Sequence, residues 1–182
     1  MRQEITLNKR ALELILFQCG MKSSLYEPYE EAIRTFDAEE YVHVREGLIM
    51  SGICEIDFDG KTHIKSPELS RYIYCIMKSS AALYFNDQTT SLIYLKSPVD
   101  ITKLSNNVDN VTISSETYVC AYDRINEIIK EKKGKLSFKP LIRNEMIYDV
   151  DLRTADNSET DNVIGRFMIS DFRIFNFSEG DI

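Results

Sequence analysis

Tryptophan is absent, histidine occurs twice and proline four times, and no apolar run approaches the length of a bilayer span. Each shortage closes a class of function. The seven glycines are scattered, forming neither a dinucleotide fingerprint nor a phosphate loop ending in Lys-Ser or Lys-Thr. There is no Gly-x-Ser-x-Gly elbow for a serine hydrolase. The four cysteines, Cys19, Cys54, Cys75 and Cys120, are far apart and lie in or beside apolar runs. That spacing fits neither a zinc site nor a thioredoxin-like motif, and reads as core thiols in a reducing compartment. Met1-Arg2-Gln3-Glu4-Ile5 lacks the apolar region and cleavage site of a secretory leader, which predicts a cytoplasmic protein without membrane insertion.

Positive charge is also scarce. The net charge is −7 over 182 residues, and from Glu145 onward Arg153, Arg166 and Arg173 stand against nine acids. The remainder of the chain is therefore close to neutral. An acidic surface repels phosphate backbones and anionic lipid, which excludes nucleic acid and membrane surfaces as preferred partners. A basic or mixed-charge protein surface suits it better, although acids also serve solubility alone.

With 43% hydrophobic and 28% charged residues, the composition is that of a folded globular chain. Its length fits one domain or two small interlocked lobes, with a boundary near residues 78–81. Asn8 caps an expected helix carrying Leu12, Ile15 and Leu16 and stopping at Gly20. Residues 21–36 are broken by Pro28, although Tyr29, Ile33 and Phe36 keep helical spacing. Asp37 caps a second helix over 38–50, ended by Gly52. Ile53-Cys54-Glu55-Ile56-Asp57-Phe58 alternates as a strand, Asp59-Gly60 is a hairpin turn, and Thr62-His63-Ile64 returns. Ser66-Pro67 then opens a helix with Leu69, Ile73, Ile76 and Met77 on one face.

Strands are expected at 82–85, 91–95, 111–113, 136–138 and 146–152, with Ser115 capping a helix that aligns Val119, Tyr122, Ile125 and Ile129. Residues 154–162 read as a polar loop and 163–177 as strand-rich. The fold class is therefore α+β. Residues 1–80 form a helical lobe with a winged-helix-like hairpin, and 81–182 an antiparallel sheet with a packed helix, the two as one compact unit.

Candidate chemistry is thin. His43 lies among Glu39, Glu40 and Glu46, which could begin a metal site, but no third and fourth ligand has compatible spacing. A solvated helix face accounts for the same residues. Cys54 and His63 could meet across the hairpin, with nothing nearby to activate the thiol. Asp57/Asp59 and Asp149/Asp151 each put two carboxylates on one strand face, which is more simply the wet face of a half-covered sheet. No cofactor or metal is expected, and catalysis is not expected. The helix, wing and helix order is that of a DNA reader, yet Asp57-Phe58-Asp59-Gly60 at the wing would repel phosphates.

From Phe36 to Tyr94 the order of features is distinctive. A helix runs into Glu46-Gly47-Leu48-Ile49-Met50-Ser51-Gly52, a hairpin follows, and Ser66-Pro67-Glu68-Leu69 opens another helix. Leu83-Tyr84-Phe85 and Ser91-Leu92-Ile93-Tyr94-Leu95 come next. This pattern, which spans about a third of the chain, resembles the EspG-type chaperones of type VII (ESX) secretion. It resembles more closely the smaller Firmicute proteins encoded beside LXG toxins, of the EsaE kind. The resemblance implies a non-catalytic cytoplasmic adaptor. Such an adaptor holds the helical N-terminal region of a secreted toxin, alone or together with small helical-hairpin proteins, and presents it to the membrane secretion ATPase. Contact would then fall on the hairpin tip, Asp57, Phe58, Asp59 and Lys61, and on sheet aromatics, Tyr84, Tyr94, Phe172 and Phe175. Strand alternation means these aromatics do not all face one side. The alternative is an immunity protein that neutralises a basic, nuclease-like toxin domain through its acidic surface.

Overall fold

A computed structural model describes residues 4–21, 25–26, 36–58, 62–141 and 147–169. The Asp59-Gly60 turn, the Pro28 break and the C-terminal phenylalanines Phe172 and Phe175 lie outside these described residues.

A seven-stranded antiparallel sheet organises the chain. Strands β4 (Ala81–Asn86), β5 (Ser91–Lys96), β6 (Ile101–Asn106) and β7 (Asn110–Glu116) form a meander. β1 (Ile5–Asn8) extends it at one edge on β7, and β8 (Lys135–Pro140) then β9 (Tyr148–Asp151) extend it at the other on β4. A separate hairpin pairs β2 (Cys54–Ile56) with β3 (Thr62–Ile64).

Both faces of the sheet are covered, so its central strand is apolar on both sides, and residues 81–85 are all buried. On one face Ala82, Tyr84, Ile93, Leu95, Leu104, Val111 and Ile113 pack under α1 (Lys9–Gln18), α2 (Ala38–Met50) and α3 (Pro67–Met77). On the other, Leu83, Phe85, Tyr94, Ile101, Leu136 and Phe138 pack under α4 (Tyr118–Lys130) and α5 (Asn157–Ile169). The fold is a helix–sheet–helix α+β sandwich. Its first core joins helices from residues 1–80 to strands from 81–182.

The helix starts follow local chemistry. The Asn8 side chain accepts from the Arg10 N–H at 2.9 Å, Asp37 from Glu40 at 2.8 Å, and Ser66 from Leu69 at 3.2 Å. Pro67 occupies the first turn of α3, where its missing N–H costs nothing. Arg10 links α1 to α2 by a two-pronged contact to Glu40, Nε–Oε1 2.7 Å and Nη2–Oε2 2.9 Å, and also binds Glu13. Gly134, at φ +77°, turns the chain from α4 into β8, and a Cβ there would stand 2.4 Å from the Asn86 carbonyl oxygen.

Four expectations are corrected. Residues 157–169 form α5, not loop and strand: Val163, Ile164 and Phe167 are buried at helical spacing. Asp156 and Glu159 start this helix reciprocally, Asp156 Oδ1 accepting from the Glu159 N–H at 2.9 Å and Glu159 Oε2 from the Asp156 N–H at 3.1 Å. Ser115 is not a cap, because β7 continues to Glu116, opposite Ile101 of β6; Thr117 is the cap. In consequence α4 turns Ala121 and Ile125 inward and leaves Val119 and Tyr122 exposed. β6, whose polar Thr102, Lys103 and Ser105 hide its strand character, joins the meander between β5 and β7.

Candidate protein-binding surface

Helix α2 presents three different stripes. Tyr41, Val44 and Leu48 pack into the core. Val42, Glu46 and Met50, spaced by four, point outward, and Met50 is 88% exposed. Glu39, His43, Gly47 and Ser51 lie between those two stripes, and the last three line a groove. Met50 is almost wholly and Val42 half exposed, which leaves apolar surface on both available to something else. The hairpin also exposes apolar side chains: Ile56 is half-exposed and Phe58 wholly exposed.

The groove holds about 370 Å³ and is lined by Thr6, Leu7 and Asn8 of β1, Ala11 of α1, and α2 together with Ile53. Its floor is apolar through Leu7, Ala11, Val44, Leu48 and Ile53. It lies beside the outward stripe of α2, so an exposed apolar ridge borders an apolar depression.

The expected contact residues divide sharply. Phe58 is at the surface, and the half-buried Asp57 binds His63 Nε2 through Oδ2 at 2.8 Å. Asp59 and Lys61 fall outside the described residues. Tyr84 and Tyr94 are 0% and 1% exposed, on opposite faces of the sheet, one in each core. Neither can touch a partner, because strands covered on both faces leave no wet side. Phe172 and Phe175 are beyond the described chain. Val42, Met50 and Gly47 were not anticipated, though Val42–Glu46–Met50 is visible as an apolar pair off the core stripe.

The other candidate constellations disperse. Cys54 pairs in register with Ile64 and His63 with Glu55, which sends thiol and imidazole to opposite sides of the hairpin. Burial pushes the Cys54 thiol pKa up, away from thiolate chemistry. Asp149 binds Lys135 Nζ at 2.9 Å. Asp151 binds Arg153 and accepts from its backbone N–H at 3.0 Å, and these contacts hold its carboxyl down to about 2. Among the described residues no group of three or more His, Cys, Asp or Glu is placed to hold a metal ion. No helix among them is long and apolar enough to cross a membrane. Compared with known proteins, the chain matches no family model and no curated sequence.

Proposed function

We propose that this protein is an adaptor chaperone that binds the helical N-terminal region of an LXG-type toxin and brings it to the membrane ATPase of type VII secretion. The observation that carries the reading is the exposed apolar ridge of Val42 and Met50 on α2, with Ile56 and Phe58 on the hairpin. An amphipathic helix buries its own apolar stripe against a ridge of this kind, and a polar rim sets its register. Glu46 on α2, with the Glu55–Lys65 and Asp57–His63 pairs on the hairpin, provides that polar rim. The order of helix, hairpin and helix is the feature the chain shares with the EspG and EsaE type of chaperone.

The immunity alternative draws on the acids after Glu145. Of those described, Asp149 and Asp151 are bound to Lys135 and Arg153, and Asp156 starts α5. Two of these acids are thus neutralised locally and are not open charge for a basic toxin. The deciding experiment is capture of partners from native cytoplasm with tagged wild-type protein and with Phe58→Asp, followed by truncation of the captured chain. Capture through a helical N-terminal region, lost in Phe58→Asp, is the expected result. Capture through a C-terminal toxic domain, with loss of toxicity, would replace the chaperone reading by immunity.

A further inference from the structure

The groove between β1 and α2 has a feature that a helix-binding ridge does not need. Among the described residues β1 is the edge strand of the large sheet. The Lys9 N–H donates to the Asp109 carbonyl at 2.9 Å, continuing a register in which Leu7 faces Val111 and Ile5 faces Ile113. In an antiparallel pair alternate residues bond to the neighbour, so these odd-numbered residues face β7. The N–H and C=O of Thr6 and the N–H of Asn8 therefore point away from the sheet. Thr6 and Leu7 have side chains on opposite faces, yet both line the groove. A depression running along the strand's outer edge, unpaired among the described residues, meets both.

Gly47 is the second observation. It stands inside α2 in ordinary helical conformation, where glycine is less favourable than alanine. A Cβ added there meets nothing within 4 Å. Nothing in the described chain requires the missing side chain, and Gly47 lines the groove opposite β1. Absence of a Cβ on that wall allows another backbone to come close. Charge is the third. Glu4 precedes β1, Glu39 lies one turn before His43 on the groove stripe, and both are exposed without an ion-pair partner among the described residues. The nearby cations are engaged: Lys9 sits 5.6 Å over the Tyr26 ring, and Arg10 binds Glu13 and Glu40.

We infer that this groove takes an extended segment of another protein, added to the edge of β1 as a further strand. The segment would alternate small or aliphatic side chains, directed into the floor of Leu7, Ala11, Val44 and Leu48, with polar ones directed to water. A lysine or arginine at its flank would meet Glu4 or Glu39. Backbone bonds to Thr6 and Asn8 supply the attachment, and alternate side chains and the basic flank supply selectivity. The inference is independent of the chaperone reading, because a helical substrate would occupy Val42, Met50 and Phe58 and leave the groove open.

The test is selection of a random peptide library on the full chain, followed by fluorescence polarisation with the enriched peptide and its variants. The expected peptides alternate apolar and polar residues and carry a basic flank. A Cβ at position 47 meets open space and the rest of a leucine side chain would lie against the apolar groove walls, so Gly47→Leu should keep its melting curve at or above wild type while affinity falls about tenfold or more. N-methylation of alternate peptide nitrogens abolishes binding, and Glu39→Lys shifts preference from lysine-flanked to glutamate-flanked peptides. Failure of the library to enrich, retained affinity in a folded Gly47→Leu, or enrichment of peptides with helical periodicity would each overturn the inference. So would a dimer of the chain that Gly47→Leu dissociates, since the groove would then belong to a second copy.

Discussion

Tyr94 offers a prediction that separates core from contact surface. Its side chain lies between β5 and the α4/α5 layer at 1% exposure, and its hydroxyl has no hydrogen-bond partner among the described residues. Burial, and then the Glu116 carboxylate, push the phenol pKa well above its ordinary value; Arg124 opposes this and Glu127 adds to it. A buried hydroxyl without a partner costs about 1–3 kcal/mol of desolvation that folding does not recover. Tyr94→Phe removes that oxygen and keeps the ring in its packing. Allowing for the small void left behind, the substitution should stabilise the protein by about 1 kcal/mol. For a chain of this size that corresponds to a rise in Tm of roughly 2–4 °C. Urea and thermal unfolding of the full chain read the change, with an unaltered m-value showing that the unfolded state is not responsible. Tyr94→Ala, by contrast, should cost about 3–5 kcal/mol through the cavity it opens. Loss of 1 kcal/mol or more in Tyr94→Phe would refute the reasoning, because the hydroxyl would then have a partner worth keeping.

Other substitutions test other parts of the account. Gly47→Ala should stabilise α2 by about 0.5–1 kcal/mol, measured by denaturant midpoint, since the methyl meets open space. Gly134→Ala should cost about 2 kcal/mol, because it combines a left-handed backbone with a clash against the Asn86 carbonyl. Arg10→Ala should cost about 2 kcal/mol, since Glu13 is left buried without its guanidinium; Arg10→Lys should recover part of this but not the fork to Glu40. Asp151, held down to about 2 by Arg153, binds fewer protons in the folded than in the unfolded state between about pH 4 and 2. Its contribution is therefore full above the unfolded value and is lost as pH falls through that window. Asp151→Asn should flatten this acid limb in a pH series of melts. Phe58→Asp should leave Tm unchanged while removing partner binding, because the ring is wholly exposed among the described residues.

Local chemistry was the most legible layer. Asn8, Asp37 and Ser66-Pro67 bind backbone groups two or three residues away, so their meaning is carried within one turn. The same kind of signal was present at Asp156 and Glu159 and outweighs the aromatic run that reads as strand. Phe167 and Ile169 belong to the end of α5, and the phenylalanines beyond them fall outside the described residues. β6 was obscure because Thr102 and Ser105 are covered by neighbouring layers and not by their own hydrophobicity. The sheet aromatics could not be assigned to surface or core from one strand, since that depends on helices covering both faces. The groove had no sequence signal, because residues 6–11 and 43–53 meet only in the folded chain.

The central claim is that α2 and the hairpin form a docking surface for a helical segment. Amide hydrogen exchange of the full chain, alone and with the helical N-terminal region of the captured toxin, tests it most directly. The account predicts slowed exchange concentrated in residues 42–58. Slowed exchange confined to residues 147–169, or none anywhere despite complex formation, would contradict it.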